Sequence, residues 1–237
     1  PLCHDHHSEQ EKFSIIEINK KSGFAIVRRN VRSMNAKYFM PYAGFFKELA
    51  ARDGYIKKNN KKNLVVDYEK QLKNQHVLNV LLNNKFNFVG EKLISKEKLE
   101  TTLESENPEE WISANMQCET STDSKIIEYF KKSNFKKDLT LFLLLTDDNF
   151  LKVRKKFTIN FRDSIPIVIK NNEIEFEDYQ EDDNNLLLIK VREHSFYYLI
   201  NKRLPWENLS IGFQCRIDRK PDIYNSEFWY HFTNLYF

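Results

Sequence analysis

Three of the six histidines, His4, His6 and His7, lie together at the start of the chain. Alternate histidines on an extended segment can converge on one metal ion, because imidazole nitrogens are good zinc ligands. Chain termini are also commonly disordered, and these histidines could equally belong to a disordered end that binds no metal. We therefore expect no metal centre from these residues.

A polar stretch after the first quarter of the chain could meet a phosphate or a carboxylate, since a lysine acts as a point-charge partner for such groups. The same pattern is typical of a solvated loop between periodic segments. The residues concerned are Lys57, Asn59, Asn60, Lys61, Lys62 and Asn63.

Arg216 and Arg219 are the second candidate for anion binding. We predict a helix through this region, and residues three apart on a helix share one face. The two guanidinium groups could form a fork for an anion, or they could pair with nearby carboxylates such as that of Asp222.

Other kinds of chemistry have no support in the sequence. The chain has only 5 glycines and no GxGxxG or GxxxxGK[ST] run. No Ser-His-Asp set or activated cysteine is recognisable. Asp147 and Asp148 are predicted to be turn residues between strands, as are the acidic residues 181–183.

The composition is that of a folded protein, with 41% hydrophobic residues and a net charge of +3. Interspersed charges do not suggest a nucleic-acid surface, and the apolar run Leu141–Leu145 is too short to cross a membrane. Cys3, Cys118 and Cys215 form no CxxC pair, which favours a reducing cytoplasm. The chain does not begin with Met, and we expect its true beginning to be missing.

The predicted elements are mixed. Strands are predicted at Phe13–Ile18, Phe24–Arg28, Ala36–Met40, Phe86–Val89, Leu139–Thr146, Phe150–Asn160, Ile165–Ile169, Glu173–Glu177 and Leu186–Val191. Helices are predicted at Phe45–Arg52, Asp67–Leu81, from Pro108, from Asp123, at His194–Arg203, at Pro205–Ile217 and from Pro221 to His231. Hairpins followed by helices indicate an α+β fold. A domain boundary is expected between Gly90 and Pro108, which divides the chain into 1–95 and 96–237.

Two separated motifs suggest a family. From Trp206 the chain reads W-E-x-L-x-I-G-F-Q-x-R-x-x-R-x-P-D-I-Y, and F-W-x-H-F follows from Phe228. Upstream, P-Y-A-G-F-F starts at Pro41 and Y-I-K-x-x-N-x-K-N at Tyr55. In order and rough spacing these motifs resemble those of the CMP-N-acetylneuraminate hydroxylases, which convert CMP-Neu5Ac to CMP-Neu5Gc.

The resemblance implies an architecture for the intact enzyme: a Rieske module, a metallo-β-lactamase-like αββα domain and a C-terminal α+β domain. This chain would hold the end of the second in residues 1–95 and the third in residues 96–237. The complete set of a CxH and a CxxH pair that a Rieske module needs is not present, and neither is the HxHxDH motif of a metallo-β-lactamase. We therefore expect no cofactor on this chain and no activity from it alone.

The resemblance further implies a CMP-sugar substrate and a cytoplasmic enzyme that uses a 2Fe-2S cluster, iron, NADH and a small cytochrome electron donor. The residues expected near the substrate are Tyr42, Gly44, Phe46, Lys57 and Asn60. The motif residues expected to be structural are Trp206, Gly212, Gln214, Arg216, Arg219, Asp222, Tyr224, Trp229 and His231.

Two other functions remain open. The chain could belong to a metallo-β-lactamase-like relative with another substrate, because a fold does not fix a function. It could also be a non-catalytic module whose aromatic C-terminal cluster binds an apolar ligand or a partner chain. The upstream sequence of the transcript would distinguish an enzyme from a module.

Overall fold

A computed structural model of the protein describes residues 8–41, 49–59, 63–79, 84–98, 107–163, 165–170, 176–178 and 185–235. The described residues form two compact units. The smaller unit contains residues 8–49 and 54–98 where described, and the larger unit contains Ala50–Asp53 together with residues 107–235 where described.

The smaller unit begins with a long helix, α1 (Glu9–Ser33). The prediction of two strands within residues 13–28 is wrong. Ser8 and Glu11 form a capping box that starts the helix, and Gly23 continues it. Many shielded positions recur every three to four residues, which is the helical period; among them are Lys12, Ile16, Lys20, Phe24, Val27 and Val31.

The rest of the smaller unit combines short helices and two small sheets. Its elements are β1 (Tyr38–Phe39), α2 (Gly54–Asn59), α3 (Val65–Gln71), β2 (His76–Val77), β3 (Asn84–Val89) and β4 (Lys92–Lys98). β1 pairs with β2 in parallel, and β3 pairs with β4 in antiparallel. The strand predicted at Phe86–Val89 is confirmed.

Two helix predictions in this region are wrong. The helix predicted to continue to Leu81 ends at Gln71, because Leu72 leaves the helical region with φ −112° and ψ 54°. The helix predicted at Phe45–Arg52 is not formed in its described part, where a 3₁₀ turn at Ala51–Asp53 precedes α2, and residues 42–48 lie outside the described residues.

The larger unit is built around a five-stranded sheet. Its elements are α4 (Pro108–Ile112), α5 (Asp123–Lys132), β5 (Thr140–Thr146), β6 (Val153–Asn160), β7 (Ile167–Lys170), β8 (Leu186–Arg192), α6 (Glu193–Lys202), α7 (Glu207–Ile211), β9 (Cys215–Lys220) and α8 (Ser226–Thr233). The strand order is β7-β6-β5-β8-β9. Only the central pair β5 and β8 is parallel.

The core of this unit lies on one face of the sheet. Alternate strand residues such as Leu143 and Ile189 point to that face and are fully buried. Helices α5, α6 and α8 add buried aromatic rings to the same cluster, among them Phe130, Phe196 and Phe232. Residues of the opposite parity on β5 and β8 form a second cluster with Phe176.

The hairpin of β5 and β6 is confirmed, whereas two later predictions are wrong. Residues 176–178, predicted as strand, form a 3₁₀ turn, and residues 171–175 lie outside the described residues. The helix predicted to run to Ile217 ends at Ile211, and strand β9 follows. Phe213 turns the chain there with φ 53°, and β9 satisfies its backbone hydrogen bonds against β8.

The fold class predicted from the sequence, α+β, is confirmed by this mixture of helices and mainly antiparallel sheets. In the described part of the chain, no helix has the length and apolar content needed to span a bilayer.

Candidate functional site

A cleft opens in the larger unit at the carboxyl ends of the two parallel strands. Thr146 and Arg192 are the paired last residues of β5 and β8. A turn follows β5, and α6 begins directly after β8. The carboxyl ends of parallel strands are where open α/β sheets commonly bind ligands, because the connections diverge there.

The cleft has a volume of about 270 Å³, and every side chain that lines it is polar. Four segments contribute: the π-helical segment Ser113–Gln117 that follows α4, the end of β5 with its turn, the start of β6 and the first turn of α6. The lining residues are Gln117, Thr146, Asp147, Asp148, Asn149, Arg154 and His194.

Asp147 fixes the turn after β5. Its Oδ1 accepts hydrogen bonds from the backbone amides of Leu151 at 2.8 Å and Lys152 at 3.1 Å. These bonds, that of Lys152 first, lower the pKa of the Asp147 carboxyl below its usual value of 3.8. Asp147 is therefore an ionised hydrogen-bond acceptor at neutral pH.

His194 contributes an imidazole from the first turn of α6. Its Nδ1 lies 3.2 Å from the carbonyl oxygen of Glu119. Because a carbonyl oxygen can only accept, Nδ1 must carry a proton in this contact. In the tautomer that carries its proton on Nδ1, Nε2 can accept a hydrogen bond.

Arg154 is anchored by a carboxylate at the rim of the cleft. Its Nη1 lies 3.1 Å from Oε2 of Glu193, whose side chain is 11% exposed. The Tyr197 hydroxyl donates to the other oxygen of the same carboxylate. Burial, and then the hydrogen bond to Glu193, raise the pKa of Tyr197 to about 12, so the phenol stays protonated.

Behind the cleft lies a buried guanidinium, that of Arg192, whose side chain is 2% exposed. Nη1 donates to Oδ1 of Asp53 at 2.6 Å, and Nε and Nη2 donate to the carbonyl oxygens of Asp148 and Arg52 at 2.8 and 2.9 Å. Desolvation lowers the pKa of Arg192, and the hydrogen bond that Arg192 donates to Asp53 opposes this. A buried charge requires such partners.

Gln214 from the IGFQ motif completes this arrangement. Its Oε1 accepts from Arg52 at 3.2 Å, from Arg192 at 3.1 Å and from the Ser195 hydroxyl at 3.3 Å. Its Nε2 donates to the Gly212 carbonyl at 2.7 Å. One motif side chain therefore links the buried arginines to the first turn of α6.

The glycine of the motif is required by a close backbone approach. A Cβ at Gly212 would lie 2.7 Å from the carbonyl oxygen of Asn208. Real Cβ atoms do not approach backbone oxygens this closely, so any larger residue would displace the turn. The turn in question is the one that positions Gln214.

The aromatic ring of Phe150 lies close to the guanidinium groups of Arg192 and Arg216. Its ring centroid lies 5.0 Å from the guanidinium carbon of Arg192 and 4.5 Å from that of Arg216. These are cation–π distances. The positive φ of 62° at Phe150 places the residue in the left-handed region, which is uncommon for an aromatic side chain.

Arg216 and Arg219 do not form the predicted fork of two guanidinium groups around one anion. Arg216 and Arg219 lie on strand β9, where residues three apart point to opposite faces. Nη2 of Arg219 lies 2.8 Å from Oδ1 of Asp222. The prediction that both guanidinium groups share one helical face is wrong, because the chain turns at Gly212 and pairs with β8.

The tryptophans of the closing motif lie in the core. Trp206 is fully buried, and its indole nitrogen donates to the Tyr129 hydroxyl at 2.7 Å. Trp229 is 6% exposed. His231 Nε2 lies 2.6 Å from the carbonyl oxygen of Ser133, whereas Tyr224 is 63% exposed.

Of the five residues predicted near the substrate, the structure describes Lys57. Tyr42, Gly44, Phe46 and Asn60 lie outside the described residues. Lys57 is on α2 in the smaller unit and is exposed. The three histidines at the start, with Lys61 and Lys62, also lie outside the described residues.

Sequence reasoning overlooked Arg192, His194 and the pair Asp147–Asp148 as members of one site. A usable signal existed, because each lies at the end of one of two strongly apolar strands or within two residues after it. It was not recognised because a parallel pairing of β5 with β8 cannot be told from another hairpin by pattern alone.

Comparisons with known proteins find sequence similarity to hydroxylases, although no protein-family model matches the chain. It is 26% identical over 250 residues to the cytidine monophosphate-N-acetylneuraminic acid hydroxylase of Danio rerio. It is 26% identical over 255 residues to that of Xenopus laevis. A human relative, named an inactive hydroxylase, is 25% identical over 245 residues.

These alignments cover 95% of this chain, but only 40% of the Danio and Xenopus proteins and 47% of the human one. The chain thus spans less than half the length of these curated relatives.

Among solved structures, sterol carrier protein-2 like-3 from Aedes aegypti aligns with a TM-score of 0.30 and 19% identity. The alignment covers 40% of this chain and 80% of that one. A similarity this low carries no argument about fold or ligand. The family predicted from the two motifs is confirmed by the sequence relatives: the chain is a homologue of the cytidine monophosphate-N-acetylneuraminic acid hydroxylases.

Proposed function

We propose that the chain forms part of an enzyme that hydroxylates the N-acetyl group of CMP-N-acetylneuraminate, and that it shapes the substrate site. The observation that carries this proposal is the similarity to hydroxylases over 95% of the chain. The position of Gln214 supports it, because this motif residue links Arg192 to α6 directly behind the polar cleft.

The proposal extends to the remaining parts of the reaction. In the intact enzyme, NADH and a small cytochrome would supply electrons through a 2Fe-2S cluster, and iron would activate oxygen for transfer to the N-acetyl methyl group. The enzyme would act in the cytoplasm. The smaller unit would belong to a metallo-β-lactamase-like domain that ends near residue 95, with Tyr42, Gly44, Phe46, Lys57 and Asn60 near the substrate.

The residues of this chain do not fit the redox groups. The sequence contains no CxH pair, so the complete CxH and CxxH set that a Rieske cluster requires is not present, although Cys3 and His6 have the CxxH spacing. Among the residues that the structure describes, no three His, Cys, Asp or Glu side chains are placed to hold a metal ion. We therefore assign no electron-transfer or oxygen-activation step to this chain.

A chimaera tests the proposal. A hydroxylase relative that is active in the assay would have the segment that aligns with this chain replaced by residues 1–237. The conversion of CMP-Neu5Ac to CMP-Neu5Gc would be followed by chromatography, with NADH and a cytochrome donor supplying the electrons. We expect the chimaera to retain turnover and the same relative without the segment to lose it.

Two variants of the chimaera sharpen this experiment. Gln214→Leu removes the acceptor shared by two arginines and is expected to abolish most of the turnover. Tyr230→Ala alters a side chain that is 76% exposed and should leave turnover unchanged. An inactive but folded chimaera that still binds iron would contradict the proposed function.

The isolated chain gives a further test. Purified 1–237 is expected to contain no iron and to produce no CMP-Neu5Gc with NADH and a cytochrome donor. Stoichiometric iron, or any turnover, would refute the assignment of the redox groups to other parts of the enzyme.

The alternative of a non-catalytic module has no specific support. It relied on an aromatic surface near the end of the chain, but Trp206, Phe228 and Trp229 are buried in the core. Burial removes these rings from any binding surface, and exposed Tyr224 and Tyr230 remain as isolated rings.

A further inference from the structure

The polar cleft of the larger unit has the features of a ligand site that no motif of the sequence assigns. It lies at the carboxyl ends of β5 and β8 and is lined by side chains from four segments. Its volume of about 270 Å³ is close to the lower end of small-molecule pockets, roughly 300 Å³. That volume suits one sugar ring or a short polyol better than a complete nucleotide sugar.

The lining combines hydrogen-bond donors with acceptors. Arg154, Gln117 and Asn149 carry N–H donors, as the chemistry of guanidinium and amide groups requires. The carboxylates of Asp147 and Asp148 accept only, and His194 offers an acceptor at Nε2 while Nδ1 faces the Glu119 carbonyl. A hydroxyl group both donates and accepts hydrogen bonds, and a secondary amide has one N–H donor and one carbonyl acceptor. Ligands that carry hydroxyl and amide groups therefore match this lining.

The charges of the cleft argue against a phosphate. Phosphate oxygens accept hydrogen bonds and repel carboxylates, and two of the lining residues, Asp147 and Asp148, are acidic. The cation on the lining, Arg154, already lies 3.1 Å from the carboxylate of Glu193. The cleft therefore has no excess of positive charge for an anion.

The cleft is also held in shape before any ligand arrives. The Asp147 carboxylate accepts two backbone amides of its own turn. The Asp148 carbonyl accepts from Nε of Arg192 at 2.8 Å, and its carboxylate lies 3.5 Å from Nη1 of Arg52. Groups fixed in this way lose little entropy on binding, which favours affinity for a small polar ligand.

We propose that this cleft binds an uncharged, hydroxyl- and amide-bearing part of a ligand, and does not bind a phosphate group. Taken with the proposed function, on which this choice of ligand rests, the occupant is the hydroxylated and N-acetylated portion of the sialic acid. The carboxylate of the sialic acid, the phosphate and the cytidine would lie outside the cleft.

The test uses the full chain and nuclear magnetic resonance, which detects weak binding. N-acetylneuraminate, CMP and inorganic phosphate are titrated separately, and the amide signals of residues 146–149 and 193–195 are followed. We expect N-acetylneuraminate to shift these signals, and phosphate and CMP to leave them in place.

Two matched variants locate the binding. Gln117→Trp fills the rim of the cleft from an exposed position and should weaken N-acetylneuraminate binding at least tenfold. Lys136→Trp makes a change of similar bulk at an exposed position near the amino end of β5, and should leave binding within twofold of the wild type.

Three results would overturn the inference. The first is that phosphate or CMP shifts the cleft signals and the sugar does not. The second is that the sugar binds equally well to Gln117→Trp. The third is that no ligand shifts these signals. None of them refutes the proposed function, which is judged separately by turnover of the chimaera.

Discussion

Truncating Trp206 should destabilise the larger unit more than any change on its surface. Its side chain is fully buried and lies at the centre of a group of aromatic rings. The ring centroids within 4.9 to 6.4 Å are those of Phe130, Phe196, Phe228, Trp229 and Phe232. Aromatic packing of this kind contributes both buried area and favourable edge-to-face contacts.

The size of the effect follows from this burial. Replacing a buried tryptophan by alanine costs about 3–5 kcal/mol, against a total stability of about 5–15 kcal/mol for a typical domain. Trp206→Phe should cost less, roughly 1–3 kcal/mol, because it keeps an aromatic ring and mainly removes the indole N–H that donates to the partly buried Tyr129 hydroxyl.

The assay is urea unfolding followed by tryptophan fluorescence. All three tryptophans lie in the larger unit, so Trp111 and Trp229 still report on it when Trp206 is replaced. Tyr230→Ala is the control, because its side chain is 76% exposed and surface changes usually stay within about 0.5 kcal/mol. The reasoning would be refuted if Trp206→Ala lost less than about 1 kcal/mol of unfolding free energy, or if Trp206→Ala and Tyr230→Ala lost equal amounts.

Three further predictions concern the arginine cluster and the turns beside it. Arg192→Met should lower the free energy of unfolding by about 3–5 kcal/mol, because it leaves the Asp53 carboxylate without its 2.6 Å partner; urea unfolding measures this. Gly212→Ala should cost about 1–3 kcal/mol in the same assay, since its Cβ would lie 2.7 Å from the Asn208 carbonyl oxygen. The pKa of Asp147 is lowered in the folded state, so its stabilisation is present above the usual value of 3.8 and is lost as the pH falls further. Asp147→Asn should therefore reduce the acid sensitivity of stability below about pH 4, measured by unfolding at successive pH values.

Controls for these variants come from the same unit. Lys137→Ala breaks an exposed ion pair with Glu227, 2.8 Å long, and should cost at most about 1 kcal/mol. Ser210→Ala, two positions before the glycine, tests whether any change in this turn is harmful. Loss of stability in Lys137→Ala equal to that in Arg192→Met would contradict the role given to the buried guanidinium.

Several elements could be predicted from local pattern because their neighbours in sequence decide them. The hairpin of β5 and β6 follows from two apolar runs around the Asp147–Asp148 turn, and α5 and α6 follow from helical spacing with polar starts. The closing motif indicated the family because its residues keep a fixed frame that does not depend on recognising secondary structure.

Other elements could not be predicted because short apolar runs suit a helix and a strand equally well. Residues 13–28 join α1 because the capping box of Ser8 and Glu11 starts a helix that Gly23 does not stop. Residues 215–220 become β9 because β8 offers an edge to pair with, and that edge exists only once the sheet has formed.

The sequence by itself determined the fold class, the hairpin of β5 and β6, and the family. Each of these depends on patterns or motifs formed by residues that are close together along the chain. The cleft and its supporting cluster were decided by tertiary structure alone. Arg52, Asp148, Arg192 and Gln214 meet across separations of up to 162 residues. Their contact depends on the parallel pairing of β5 with β8, which brings the ends of two distant strands to the same edge and which no local periodicity encodes.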